Sequence, residues 1–141
     1  MKTMMKLCIG LLLVTITTNA QRKPANYINV MSYNVRYNNT GDAENAWPNR
    51  KDNVKALVKF HDADVLCVQE ALALQADQLI EHTNYEMVGV GRTDGKRDGE
   101  FSAVYFDKTR FVKKDGGTFW LSDTPEKPSK GWDAAIVRIC T

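Results

Sequence analysis

Two apolar runs separated by one helical pattern constrain this chain more than any other feature. From Tyr27 to Tyr33 the residues alternate, with Ile28 and Val30 on one side and Met31 and Tyr33 on the other, as in a strand apolar on both faces. Val65-Leu66-Cys67-Val68 is continuously apolar, which again suits a strand covered on both sides. Between them Pro48 stands where a helix opens, because its fixed φ fits the first turn and its missing N–H is not needed there. Val54, Leu57, Val58 and His61 then recur at i, i+3, i+4 and i+7 as a packing stripe, leaving Arg50, Lys51, Lys55 and Lys59 to face water. Strand, helix, strand is a crossover unit, which implies parallel neighbours in an α/β sheet.

The rest of the chain extends this start. Asn38 to Asp42 is a turn-rich loop, and Leu72, Ala76, Leu79 and Ile80 mark a second helix ending near His82-Thr83-Asn84. Tyr85 to Val90 reads as a short strand and Gly91 to Gly99 as a charged loop. Hairpin-like segments follow: Phe101 to Phe106, a turn at Asp107-Lys108-Thr109, Phe111-Val112 pairing back, and Thr118 to Leu121. Thr124 to Ser129 is a loop, and Ala134 to Cys140 reads as a strand entering a core. There are no internal repeats.

Met1 to Ala20 has the grammar of a signal peptide: Lys2 and Lys6, an apolar stretch from Leu7 to Thr18, then Thr18-Asn19-Ala20 as a small-residue cleavage site. It is too short and threonine-rich for a membrane span. The expected mature chain therefore runs 21–141, exported to the periplasm or the extracellular space. Without Lys2 and Lys6 the 19 basic residues fall to 17, equal to the 17 acidic ones. That neutrality gives no support to a partner held by its phosphate backbone. Cys67 and Cys140 would remain in the mature chain, and a disulfide between them is less expected than a small hydrophobe buried in a strand.

Both apolar runs end on a polar group. Asn34 follows Tyr33, and Glu70 follows Gln69. A carboxylate abutting a buried run is costly unless it is paired or coordinates a cation, and ligand groups of open α/β sheets gather at strand ends. An amide oxygen and a carboxylate converging there would make a half-shell for Mg²⁺, a hard cation that takes oxygen ligands and keeps several waters. Taken singly, Glu70 also fits a solvated loop or a helix cap, and Asn34 fits a turn. Arg92 and Glu100 flank the glycine-rich loop, where they would either meet substrate or pair with each other. Trp120 and Trp132 read as packing residues, and His61 and His82 as structural ones on helices.

Ser32-Tyr33-Asn34-Val35-Arg36, a helix, then Asp64-Val65-Leu66-Cys67-Val68-Gln69-Glu70 resembles the opening of the endonuclease/exonuclease/phosphatase family. The likeness continues through Gly91-Arg92-Thr93-Asp94-Gly95, Gly99 to Tyr105, Thr118 to Ser122 and Gly131-Trp132-Asp133, in the manner of an exported bacterial branch. It implies a four-layer α/β/β/α sandwich, of which this chain furnishes mainly one mixed sheet with flanking helices, truncated. An apolar sheet face would be left for the missing half to cover. Asn34 and Glu70 match the family's metal-holding positions, for Mg²⁺ with Mn²⁺ as the substitute, and Arg92 and Glu100 border its substrate pocket. The implied activity is hydrolysis of a phosphodiester or phosphomonoester, whether small molecule, lipid headgroup or nucleic acid, by a monomer. The family's water-activating aspartate and its catalytic histidines have no counterparts here, so the expectation is an amino-terminal portion that is inactive alone. A non-catalytic exported binding domain on the same fold is the rival reading.

Overall fold

The computed structural model describes residues 26–141, so the expected signal peptide lies outside the described residues. The order of elements is β1 (Val30–Asn34), a 3-10 turn (Thr40–Asn45), α1 (Trp47–His61), β2 (Val65–Ala71), α2 (Ala73–Ile80), β3 (Tyr85–Val88), β4 (Phe101–Asp107), β5 (Phe119–Trp120) and β6 (Ile139–Cys140). β1 and β2 run parallel across α1, as the crossover pattern requires, while β4 pairs antiparallel with both β2 and β3. The result is a mixed sheet in the order β1-β2-β4-β3, with β5 and β6 forming a separate antiparallel pair.

Register explains which face is buried. Leu66 lies beside Met31 and Tyr105, and Val68 beside Tyr33 and Ala103, so paired residues share one face of the pleat. That face packs on Trp47, Val54 and Val58 of α1 and Ala76 and Leu79 of α2. Tyr105 is fully buried and its hydroxyl donates to the Ala76 carbonyl at 3.2 Å; burial, then the Asp77 charge, pushes its pKa well above the usual tyrosine value. The opposite face carries Val30, Cys67, Val88 and Val104. Val30 is 62% exposed and the others half-buried, with Phe111 and Val112 partly overlying the β3 and β4 side.

Several expected elements differ. β1 begins at Val30, leaving Tyr27 and Ile28 exposed, and the helix stripe is Trp47, Val54 and Val58, with Leu57 and His61 outside it. Trp47 lies about two turns before Val54, on the same face, so the buried stripe runs along a line that the Leu57 and His61 spacing missed. Arg50 does not simply face water; it is half-buried among backbone carbonyls. Phe111-Val112 forms no strand, because the chain turns tightly on Asp107 and leaves Val112 exposed. Of Ala134 to Cys140 only Ile139–Cys140 pairs, and Trp132 is 73% exposed instead of packed, at a turn where its φ is 49°. Cys67 and Cys140 are both free thiols.

Candidate active site

The parallel register sets Asn34 beside Gln69, so β1 and β2 deliver their last side chains to the same end of the sheet. In a regular strand Gln69 and Glu70 would point to opposite faces. Instead Glu70 has φ 64° and the β2–β4 ladder shifts between Val68 and Ala71, a bulge of the kind that re-aims a side chain. Gln69 and Glu70 thereby line one cleft of about 320 Å³, together with Asn34, Arg92, Glu100 and Arg138. A left-handed backbone at a non-glycine residue costs about 1–3 kcal/mol and persists only where its surroundings enforce it.

Those surroundings are specific. Asn34 Nδ2 donates to Glu70 Oε1 at 2.7 Å, and the Tyr37 N–H approaches Oε2 at 3.4 Å. Asn34 Oδ1 accepts the Arg36 N–H at 2.9 Å. These partners fix the amide's orientation, since the N–H needs an acceptor and the carboxylate a donor. Asn34 therefore turns its nitrogen to Glu70, with its oxygen on the Arg36 backbone.

Two side chains outside the cleft hold this arrangement. Gln75 is completely buried: its Oε1 accepts from the Asn38 N–H at 2.7 Å and the Leu72 N–H at 3.1 Å, and its Nε2 donates to the Arg36 carbonyl at 2.9 Å. It ties the loop after β1 to the start of α2. Arg50, from the first turns of α1, donates to the carbonyls of Val35, Arg36 and Asn45. Arg36 itself reaches out to Asp42 through two contacts of 3.0 Å. Hydrogen bonding and charge between them raise the pKa of the Arg36 guanidinium and lower that of the Asp42 carboxyl.

The facing wall is a loop. Arg92 Nη1 and Nη2 donate to Glu100 Oε2 and Oε1 at 3.1 and 2.9 Å, a two-pronged pair that also lines the cleft. Asp94 Oδ1 accepts from the N–H groups of Lys96 at 2.8 Å and Asp98 at 2.9 Å. The Asp98 and Lys96 backbone bonds hold the Asp94 carboxyl below its ordinary pKa. Gly99 has φ +82°, and a Cβ there would meet Thr93 Oγ1 at 2.3 Å, so only glycine fits without rearrangement. Trp120 is buried and its Nε1 donates to the Arg92 carbonyl at 2.8 Å, hanging the loop on β5.

The four residues singled out in the sequence, Asn34, Glu70, Arg92 and Glu100, thus border one cleft. His61 and His82 do not line it. Among the described residues no three His, Cys, Asp or Glu side chains form a group suited to a metal ion, and no helix is long and apolar enough to cross a membrane. Sequence reasoning missed Gln75, Arg50 and Arg138. Gln75 carried a signal, a polar residue three positions after Leu72 on an apolar stripe; so did Arg138, a lone charge between Val137 and Ile139.

Residues 31–133 match the profile described as Endonuclease/Exonuclease/phosphatase family. The chain belongs to that family. Members are phosphoric ester hydrolases and are generally dependent on a divalent metal. A solved family protein from Bacteroides thetaiotaomicron is 40% identical at TM-score 0.76, over 79% of this chain and 41% of its own. A mannosyl-6-phosphatase from the same species is 40% identical at TM-score 0.76, over 80% of this chain and 43% of its own. A family protein from Bacteroides vulgatus is 39% identical at TM-score 0.74, over 77% and 42% respectively. This member of the family therefore spans about two fifths of the length of those structures.

Proposed function

We propose that this chain supplies the metal-holding part of an exported, Mg²⁺-dependent phosphoesterase acting on a phosphomonoester of a sugar. The observation that carries the reading is the 2.7 Å contact of Asn34 with Glu70 at adjoining strand ends, inside an open cleft. A carboxylate has about four lone-pair sites, and here each oxygen meets a single donor, Asn34 Nδ2 or the Tyr37 N–H. Glu70 thus keeps lone pairs for a hard cation that retains most of its waters and needs only one or two carboxylates. Mn²⁺ fits the same oxygen donors. When bound, the cation would supply neutralising charge to a phosphoryl oxygen.

The protein's own contribution is placement. Asn34 and the Tyr37 N–H orient Glu70, since both donate to the carboxylate. The sugar ester is favoured over nucleic acid because the expected mature chain carries balanced charge and because a relative of 40% identity is a mannosyl-6-phosphatase. No histidine among the described residues lines the cleft, so we expect residues 21–141 alone to give no turnover above buffer with Mg²⁺ on p-nitrophenyl phosphate or its bis ester.

Mn²⁺ titration followed by amide NMR tests the site without needing turnover. Line broadening should centre on Asn34, Glu70 and Tyr37 and vanish in Glu70→Gln. Broadening that survives Glu70→Gln, or that centres elsewhere, would overturn the metal reading. Robust hydrolysis abolished by Glu70→Ala would instead overturn the expected inactivity.

A further inference from the structure

Resting on that reading of the cleft, we infer that Arg138, and not Arg92, is the side chain that grips the substrate's phosphate, while the Arg92–Glu100 pair reads the alcohol portion. Two arginines, Arg92 and Arg138, line the cleft among the described residues. The Arg92 fork is already matched to Glu100, with both nitrogens engaged and both side chains mostly shielded, at 20% and 25% exposure. A fork is the feature of arginine that recognises a phosphate through two parallel bonds. Presenting it to substrate would mean giving up two charge-assisted bonds to a neighbouring carboxylate.

Arg138 is in the opposite condition. Its side chain makes no hydrogen bond or ion pair with any described residue, and it stands exposed at the cleft. Its backbone is nevertheless fixed: Trp120 pairs with Ile139, and the Leu121 N–H donates to the Arg138 carbonyl at 2.9 Å. An uncommitted cation on an anchored stem, sharing a cleft with Glu70, is positioned to take phosphoryl oxygens without first breaking a bond. The Arg92–Glu100 pair is internally neutral and offers outward N–H donors and carboxylate lone pairs side by side, which suits neighbouring hydroxyls better than an anion.

The test is calorimetric titration of inorganic phosphate, and separately of mannose 6-phosphate, into the full chain with Mg²⁺ present. Arg138→Gln should weaken both ligands by about ten- to hundredfold, the loss expected for hydrogen bonds to a charged group. Arg138→Lys should recover part of that loss, and the melting curve should not move because the side chain is exposed. Arg92→Gln should leave inorganic phosphate within about twofold while weakening mannose 6-phosphate. The inference is overturned if Arg138→Gln binds phosphate like the parent chain, if Arg92→Gln shows the larger phosphate loss, or if the parent binds no phosphate. Mn²⁺ broadening at Glu70 separates the levels: if it is present while phosphate ignores Arg138, only the inference falls, and if it is absent the metal reading falls with it.

Discussion

The two walls of the cleft are built on different principles. Asn34 and Glu70 sit at the ends of paired strands and are stitched from behind by Gln75 and Arg50, groups drawn from two helices. Arg92 and Glu100 sit at the ends of a loop that closes on its own backbone and hangs on β5 by the Trp120 indole. The first wall inherits its precision from the core, so disturbing it should disturb the fold. The second is a module, and damage there should stay local.

That contrast breaks first at Gln75. Gln75→Leu leaves the N–H groups of Asn38 and Leu72 and the Arg36 carbonyl without their buried partner, which at about 1–3 kcal/mol each should cost about 4 kcal/mol by urea denaturation. A loss below about 1 kcal/mol would show that the strand-end wall does not depend on the helix. A smaller effect is expected at Trp120→Phe, which keeps most of the ring but loses the bond to the Arg92 carbonyl. About 1 kcal/mol should disappear, and amide exchange should quicken in residues 91–100 while β2 stays protected. Equal quickening in β2 would mean that the two walls are one unit.

The smallest effect concerns pH. The Asp94 carboxyl has its pKa held below the ordinary 3.8 in the folded chain, so the unfolded chain binds the proton more readily in the window between the two values. Its stabilisation is therefore complete above the ordinary value and is lost as pH falls through the lowered one. Protection factors of the loop amides, taken against their intrinsic rates at each pH, should fall on acidification through that window, and Asp94→Asn should remove the dependence. Loop protection factors indifferent to pH in the parent chain would contradict this.

Much of the first wall was legible because it obeys periodicity. Alternation from Ile28 to Tyr33 and the run from Val65 to Val68 foretold parallel strands whose ends carry Asn34 and Glu70, and register did the rest. What stayed hidden was the bulge. Nothing in Val68-Gln69-Glu70-Ala71 announces a left-handed residue, since glutamate has no preference for that region. The bond from Gln75 to the Arg36 carbonyl was equally invisible, as it joins residues 39 positions apart. On the second wall the glycines at 91, 95 and 99 marked a loop, but the pairing of Arg92 with Glu100 remained one of two options until β4 and the bridge at Phe101 set their distance. The strand expected over Ala134 to Cys140 shrank because, apart from the Leu121 N–H bond to the Arg138 carbonyl, only its last two residues pair with another strand, and apolar character cannot supply a ladder where no edge is within reach.

The aim of the Glu70 carboxylate is written into the main chain, not chosen by a rotamer. An acid transplanted to position 69 would start from ordinary extended backbone opposite Asn34, and one at position 71 would enter the buried contact with Phe101. Exchanging Gln69 and Glu70 therefore preserves composition and charge yet not geometry. The address of this negative charge is not portable along the sequence, even by one step.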